Sequence, residues 1–220
     1  MANTLNPEFL TPDQRLACML LLDTSGSMAG ERIALLNSGL HTLLQGIRED
    51  DLAPKRVDLA IMTFDSSVTL IHDFVNVERW EEIPQLEAHG ETCMGAALVE
   101  GLRRIQDRKQ EYVAHGIPYL RPWMFLLTDG ESTDSTDEAT EMLRQAQMKK
   151  RVTVWPIGVG PDVDLGKLKR ITHAPAVGLQ EARWKEMFVW MSKSVASVSH
   201  SSPGEQIALP TPEQWMKLEV

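Results

Sequence analysis

The sequence is short of the features that define several large classes of protein. Two cysteines in 220 residues, Cys18 and Cys93, cannot build a disulfide framework, and we expect both to be buried thiols. The longest apolar run ends at Leu22 and has the length of one strand, far below the roughly 20 residues that cross a bilayer. The amino-terminal residues lack the basic start and apolar segment of a secretory signal. We therefore expect a cytoplasmic protein with no membrane partner.

Basic residues are also outnumbered. There are 22 Lys and Arg against 31 Asp and Glu, which gives a formal net charge of −9. An acidic chain of this kind repels phosphate backbones, so we expect no nucleic-acid partner. A hydrophobic fraction of 43% and a charged fraction of 24% are globular values, which exclude disorder or a coiled-coil rod as a description of the whole chain.

Strand patterns alternate with helix patterns along the chain. Continuous apolar or β-branched runs predict six strands, at residues 16–22, 56–64, 68–74, 123–127, 152–159 and 176–179. Apolar residues at helical spacing predict helices at residues 33–47, 94–105, 135–146, 165–171 and 184–198. Ser135 and Glu138 have the spacing of a capping box at the start of the third of these helices.

This alternation predicts an α/β fold with a doubly wound, Rossmann-like sheet and helices on both faces. The sheet is expected to be six-stranded and mostly parallel. Its second and third strands are separated only by a short turn, so they form a hairpin, and the third is the one antiparallel edge strand. We expect an extension at residues 1–14, one domain at residues 15–200, and a Pro-containing tail at residues 201–220 that packs on the domain.

Polar residues follow the predicted strands where ligands bind in such sheets, at their carboxyl ends beside the topological switch point. Asp23, Ser25 and Ser27 follow the first strand, Asp129 follows the fourth, and Thr92 precedes a long helix. If the first and fourth strands are neighbours, two carboxylates and three hydroxyls converge. Hard oxygen donors of this kind predict Mg²⁺, or alternatively Mn²⁺ or Ca²⁺, rather than Zn²⁺.

The string DTSGSM, which begins at Asp23, together with Thr92 and the TDG triplet around Asp129, resembles the metal-ion-dependent adhesion site of von Willebrand factor A domains. The resemblance covers residues 15–200. It implies that the metal ligands are Asp23, Ser25, Ser27, Thr92 and Asp129. It also implies a binding module rather than an enzyme, with a protein partner that supplies an Asp or Glu to the metal. Glu91 departs from the pattern, because many members have glycine there.

Within this family the chain is similar to the TerY-type proteins of bacterial tellurium resistance. The similar pieces are the NPE start, LLLDTSGSM, MTFDS, LLTDGE and the closing SPGEQIALP. The resemblance implies that the chain acts with a kinase-like protein and a PP2C-type phosphatase.

One alternative from a different class is a metal-dependent phosphohydrolase of the haloacid-dehalogenase type, which also uses an aspartate after the first strand. That chemistry needs a second acid two residues later, where this chain has Ser25. The sequence has no G-x-G-x-x-G, P-loop or G-x-S-x-G motif, which argues against dinucleotide, nucleotide and serine-hydrolase chemistry. Asp65 follows the second strand, either as a turn residue or on the rim of the site, and His89 is treated as structural or exposed.

Overall fold

The computed structural model describes residues 13–80, 82–180, 183–202, 204–212 and 215–217. Its strands are β1 (Leu16–Asp23), β2 (Val57–Phe64), β3 (Val68–Asn76), β4 (Trp123–Thr128), β5 (Thr153–Val159), β6 (Val177–Leu179) and β7 (Met216–Lys217). They form one sheet in the order β3-β2-β1-β4-β5-β6-β7. All neighbours are parallel except β2–β3 and β6–β7. The predicted fold class is confirmed, and β7 adds a two-residue strand at the other edge.

Helices cover both faces of this sheet. They are α1 (Glu31–Arg48), α2 (Ala53–Arg56), α3 (Met94–Ala114), α4 (Asp137–Met148), α5 (Leu165–Thr172) and α6 (Trp184–Ser199). In β1, alternate side chains beginning with Leu16 pack in one core with α1 and α6, whereas those beginning with Ala17 pack in a second core with α3, α4 and α5. Every residue of β1 is buried for this reason, which explains why the strand reads as a continuous apolar run.

The topological switch point lies between β1 and β4. Leu22 of β1 is paired with Thr63 of β2 on one side and with Leu127 of β4 on the other. The loop that leaves β1 leads to α1 on one face of the sheet, and the loop that leaves β4 leads to α4 on the other face. A crevice therefore opens at the carboxyl ends of β1 and β4, as the strand pattern predicts.

Three parts of the chain differ from expectation or lie beyond it. The short helix α2 and the strand β7 are not predicted by periodicity, because four and two residues are too few to show a period. Trp215, just before β7, is buried and packs against the ring of Trp190 in α6, with 5.2 Å between ring centroids. Residues 1–12 of the predicted extension lie outside the described residues.

None of the helices in the described ranges combines the length and the apolar character that a membrane span requires.

Candidate functional site

The loop after β1 brings its polar side chains together. Asp23 is the last residue of β1, and its Oδ1 accepts a hydrogen bond from the backbone N–H of Ser25 at 2.9 Å. A short 3₁₀ turn over Gly26–Met28 then folds the chain back, so that Ser25 Oγ and Ser27 Oγ lie 3.0 Å apart. This turn therefore places Asp23, Ser25 and Ser27 in one cluster.

Asp129 joins this cluster from the neighbouring strand. It is the first residue after β4, and its Oδ1 accepts a hydrogen bond of 2.6 Å from Ser27 Oγ. This bond connects residues that are 102 positions apart in the chain. It is made because β1 and β4 are adjacent at the switch point.

The loop that carries Thr92 is tied to both neighbouring loops through its backbone. The N–H of Gly26 donates to the carbonyl of Gly90 at 3.0 Å, and the N–H of Thr133 donates to the carbonyl of Thr92 at 2.8 Å. Gly90 has a φ of +73°, and a Cβ there would lie 2.5 Å from Ser66 Oγ, so this position requires glycine. Thr92 is buried two residues before α3, and its N–H donates to Thr133 Oγ1 at 3.2 Å.

Two further residues contact the site that the sequence analysis did not predict as ligands. The hydroxyl of Thr128 donates to Asp23 Oδ2 at 2.5 Å and is fully buried. Arg32, in the first turn of α1, donates from Nη1 to Asp129 Oδ2 at 2.5 Å. Thr128 is the first residue of the TDG triplet, but its contact with Asp23 becomes evident only when the strand register is known, since Leu22 pairs with Leu127 and the next residues are Asp23 and Thr128.

Electrostatics make Asp23 an unfavourable charge without a cation. Burial raises the pKa of Asp23, the hydrogen bonds from Ser25 and Thr128 oppose this rise, and the nearby charge of Asp129 adds to it. Asp23 is fully buried, and Asp129 is almost so. A cation held between these carboxylates would offset both the burial cost and their mutual repulsion, so the donor set fits a small hard metal ion.

The site is not a conventional cluster of acidic, histidine or cysteine ligands. Within the described ranges, no group of three or more His, Cys, Asp or Glu side chains is arranged to hold a metal ion. The candidate set here has only two carboxylates, and its other members are hydroxyls. A metal bound by it would depend on neutral oxygen donors, which Mg²⁺ accepts more readily than Zn²⁺ does.

The capping box predicted at the start of α4 is wrong. The N-cap of α4 is Thr136, Ser135 Oγ contacts Asp137, and Glu138 instead pairs with Arg103 of α3 at 3.1 Å. Asp134, which directly precedes Ser135, does cap a helix, but that helix is α3.

Asp134 caps the start of α3. Its carboxylate accepts hydrogen bonds from the backbone N–H groups of Gly95 at 2.9 Å and Ala96 at 2.8 Å. Burial raises the pKa of Asp134, but hydrogen bonds from Ser132 and from these two N–H groups outweigh it, so the pKa lies below its ordinary value. Asp134 thus fixes the loop that follows Asp129 to the helix that follows Thr92.

Replacing Asp134 with alanine should lower the free energy of unfolding by about 1–2 kcal/mol, the usual cost of a lost helix cap. Because the pKa of Asp134 is lowered in the folded state, its contribution is present above pH ~4 and is lost as the pH falls further. The variant should therefore differ from the wild type more at pH 7 than near pH 3 in urea denaturation. Asp137→Ala, at an exposed position three residues after Asp134, is the control. An equal loss of unfolding free energy in both variants would contradict the role of Asp134 as a cap of α3.

The remaining candidate residues have structural roles. Asp65 Oδ1 accepts from the backbone N–H of Ser67 at 2.9 Å and closes the turn between β2 and β3, which favours the turn interpretation over the rim. His89 is exposed and lies 3.6 Å from Asp65. Cys18 is buried, as expected, and burial raises its pKa, whereas Cys93 is only half-buried, because it stands at the end of the loop before α3.

The chain is similar to a known domain family and to several known proteins. The sequence profile described as von Willebrand factor type A domain matches residues 18–193. The protein YfbK of Escherichia coli (strain K12) is 28% identical over 205 residues, which cover 84% of this chain and 33% of YfbK. Inter-alpha-trypsin inhibitor heavy chain H1 of Bos taurus is 25% identical over 162 residues, which cover 69% of this chain and 17% of that protein. The chain thus spans about a third or less of the curated relatives it matches.

A solved structure has the same fold. The pilus adhesin SpaC from Lactobacillus rhamnosus GG, in its open conformation, superposes with a TM-score of 0.67 at 15% identity, covering 84% of this chain and 30% of SpaC. The profile match spans most of the chain and includes the strand ends that form the cluster. The chain therefore belongs to the von Willebrand factor type A domain family, whose domains typically act as metal-dependent protein-interaction or adhesion modules.

Proposed function

We propose that this chain is a protein-binding module whose metal site is of the metal-ion-dependent adhesion type. The residues that would hold Mg²⁺, or alternatively Mn²⁺ or Ca²⁺, are Asp23, Ser25, Ser27, Thr92 and Asp129. The single observation that carries the proposal is the hydrogen-bonded cluster of hard oxygen donors that links the ends of β1 and β4. When bound, the metal ion supplies a coordination position that an acidic oxygen of the partner protein occupies.

The charges of the chain's own residues make this binding conditional. Without a metal ion, an approaching carboxylate meets Asp23 and the exposed Glu91 on a chain of net charge −9, while Asp129 is paired with Arg32. Like charges repel, so the bare site is a poor binder of acidic groups. Because Ser25 and Ser27 are neutral, the chain adds only two negative charges to the donor set itself. A divalent cation there stays attractive to one further carboxylate.

The finer identity of the partner rests on the resemblance to TerY-type proteins. Three of its five pieces fall at the carboxyl ends of strands: LLLDTSGSM at β1, MTFDS at β2 and LLTDGE at β4. On that basis we propose a cytoplasmic role in tellurium resistance or a related stress response. The partners to try first are a kinase-like protein and a PP2C-type phosphatase.

The phosphohydrolase alternative gains no support from the geometry of the loop. Ser25 stands two residues after Asp23, where that chemistry needs a carboxylic acid, and its hydroxyl lies 3.0 Å from that of Ser27. A serine hydroxyl, unlike a carboxylic acid, does not serve as a general acid or base near neutral pH. We therefore propose binding without catalysis by this chain.

A two-stage measurement tests the proposed function. Isothermal titration of chelator-treated protein should first show one Mg²⁺ or Mn²⁺ bound per chain, in preference to Zn²⁺, because all the donors are oxygens. The candidate partners should then be retained by the immobilised chain in Mg²⁺ and lost in EDTA. Thr92→Ala should weaken their retention, as should replacing a single acidic residue of the partner by alanine.

Two results would contradict the proposal at different levels. Tight Zn²⁺ binding without any response to Mg²⁺ would count against the donor set. Equal retention of the partners in Mg²⁺ and in excess EDTA would leave the fold unchanged and move the interaction to another face.

A further inference from the structure

We infer that Arg32 is an internal counter-cation that occupies Asp129 when no metal is bound, and that it competes with the metal for this carboxylate. The inference rests on the proposed function, since it concerns one of the proposed metal ligands. Arg32 Nη1 lies 2.5 Å from Asp129 Oδ2 and 3.5 Å from the carbonyl oxygen of Ser27. The guanidinium therefore stands at the edge of the proposed donor set rather than elsewhere on the surface.

The position of Arg32 in the helix argues that the carboxylate holds it there. Arg32 lies in the first turn of α1 (Glu31–Arg48), where the partial positive charge of the helix dipole disfavours a cation. The opposing attraction comes from Asp129, whose side chain is completely buried while that of Arg32 is 31% exposed. Removing one partner of a pair whose carboxylate is fully buried costs more than breaking a surface ion pair, because the buried carboxylate is left unpaired.

The space for the guanidinium is provided by a neighbouring strand end. Gly160 directly follows β5 (Thr153–Val159) and has a φ of +89°. A Cβ at Gly160 would lie 2.6 Å from Arg32 Nη2, so any larger residue there would displace the guanidinium. Three elements, the start of α1 and the ends of β4 and β5, thus converge on one cationic group beside the crevice.

Both oxygens of Asp129 are occupied in this arrangement. Oδ1 accepts from Ser27 Oγ at 2.6 Å, and Oδ2 is held by Arg32. Ser27 belongs to the proposed ligand set and can remain, whereas Arg32 brings a positive charge that a divalent cation must overcome. Arg32 also neutralises a carboxylate whose charge is felt at Asp23. It therefore stabilises the metal-free form more than the metal-bound form, and by linkage it weakens metal binding.

Arg32→Gln should separate these contributions. The variant should bind Mg²⁺ roughly tenfold more tightly, because a cation within a few ångströms of the metal is removed. Its melting temperature without metal should fall, since Asp23 and Asp129 are then left without a counter-charge. In saturating Mg²⁺ its melting temperature should approach that of the wild type. Arg32→Lys keeps the charge and should bind Mg²⁺ much as the wild type does.

The control is Arg103→Gln, which removes an exposed guanidinium paired with Glu138 on the surface. It should change neither the affinity for Mg²⁺ nor the melting temperature without metal. Weaker or unchanged Mg²⁺ binding by Arg32→Gln would overturn the inference and make Arg32 a group that only orients Asp129. An equal loss of melting temperature with and without Mg²⁺ would overturn it too. If the wild type itself shows no Mg²⁺ response in titration or melting, the proposed function fails, and the inference falls with it.

Discussion

Asp58→Ala should destabilise the protein by about 3 kcal/mol, although Asp58 lies at the opposite end of the sheet from the candidate site. Asp58 is the second residue of β2 and is fully buried. Its Oδ2 accepts hydrogen bonds from Arg108 Nη2 at 2.8 Å and from the hydroxyl of Tyr112 at 2.6 Å. Breaking a buried ion pair by removing one partner costs 3–5 kcal/mol, because the other charge stays buried.

We expect the lower end of that range because the arginines near Asp58 also have other acceptors. Arg108 also pairs with Glu111 at 2.9 Å. Arg15, whose Nη1 lies 3.6 Å from Asp58 Oδ1, also donates to the carbonyl of Lys55. These contacts remain when Asp58 is removed, so neither guanidinium is left entirely without an acceptor. Tyr112 loses its acceptor, and its pKa, now raised well above 10 by burial and by the charge of Asp58, should fall.

Urea denaturation of Asp58→Ala and of Asp73→Ala compares a buried with an exposed pair. Asp73 is the partner of Arg104 at 2.7 Å, and its side chain is 57% exposed, so its loss should cost less than about 1 kcal/mol. Comparable effects of the two substitutions would show that the buried network is not a source of stability. Spectroscopic titration of the tyrosines checks the expected fall in the pKa of Tyr112.

The buried network also shows what sequence patterns could not predict. The pattern of residues 56–64 correctly predicts β2, yet nothing in it indicates the partners of Asp58. Those partners lie 50 and 54 positions later, on α3, and become neighbours only when the helix crosses the sheet. Local periodicity carries no information on such distant pairs.

The candidate site likewise has residues that the sequence predicts and residues that it does not. The loop after β1 was predictable because Asp23, Ser25 and Ser27 are close in sequence and follow a long apolar strand. Its link to Asp129 was predicted only on the condition that the first and fourth strands are neighbours, which they are in the structure. Arg32 was not predicted, because a charged side chain in the first turn of a helix is ordinarily solvated.

The capping box failed for a related reason. Ser135 and Glu138 have the right spacing, but spacing alone does not say where a helix begins or what else competes for a side chain. Here α4 begins at Asp137, and Glu138 faces Arg103 of α3. Asp134, from the same acidic run, is taken up by the start of α3, a helix whose first residue lies 40 positions earlier in the chain. A tertiary contact overrode the local signal.

Asp23→Ala should abolish Mg²⁺ binding while the domain remains folded. In the wild type, Mg²⁺ at about 100 times its Kd should add about 2.7 kcal/mol to the free energy of unfolding, and the melting temperature should rise by roughly 5–10 °C. That rise should be absent in the variant, because the carboxylate lies at the centre of the cluster and no neighbouring group replaces its charge. The measurement is a pair of thermal melts, in Mg²⁺ and in EDTA.

The fold should survive because the losses and gains at Asp23 nearly cancel. The substitution leaves the N–H of Ser25 and the hydroxyl of Thr128 without their acceptor, at a cost of about 1–3 kcal/mol. It also removes a charge that burial and Asp129 both disfavour, as the raised pKa of Asp23 indicates. Asp23→Asn retains the shape and the acceptor oxygen, so it should lose Mg²⁺ binding with even less effect on stability.

Asp65→Ala provides the matched control, since Asp65 is also a buried aspartate at the end of a central strand. Its carboxylate closes the turn at Ser67, so the variant should melt at a lower temperature but keep the full Mg²⁺-induced rise. A Mg²⁺-induced rise that persists in Asp23→Ala would assign the metal to other residues. A rise lost in Asp65→Ala as well would mean that the loop geometry, rather than the ligand set around Asp23, governs binding. The proposed site requires the rise to disappear when Asp23 is replaced and to remain when Asp65 is, because only Asp23 shares a hydrogen-bonded cluster with the hydroxyls of the first loop.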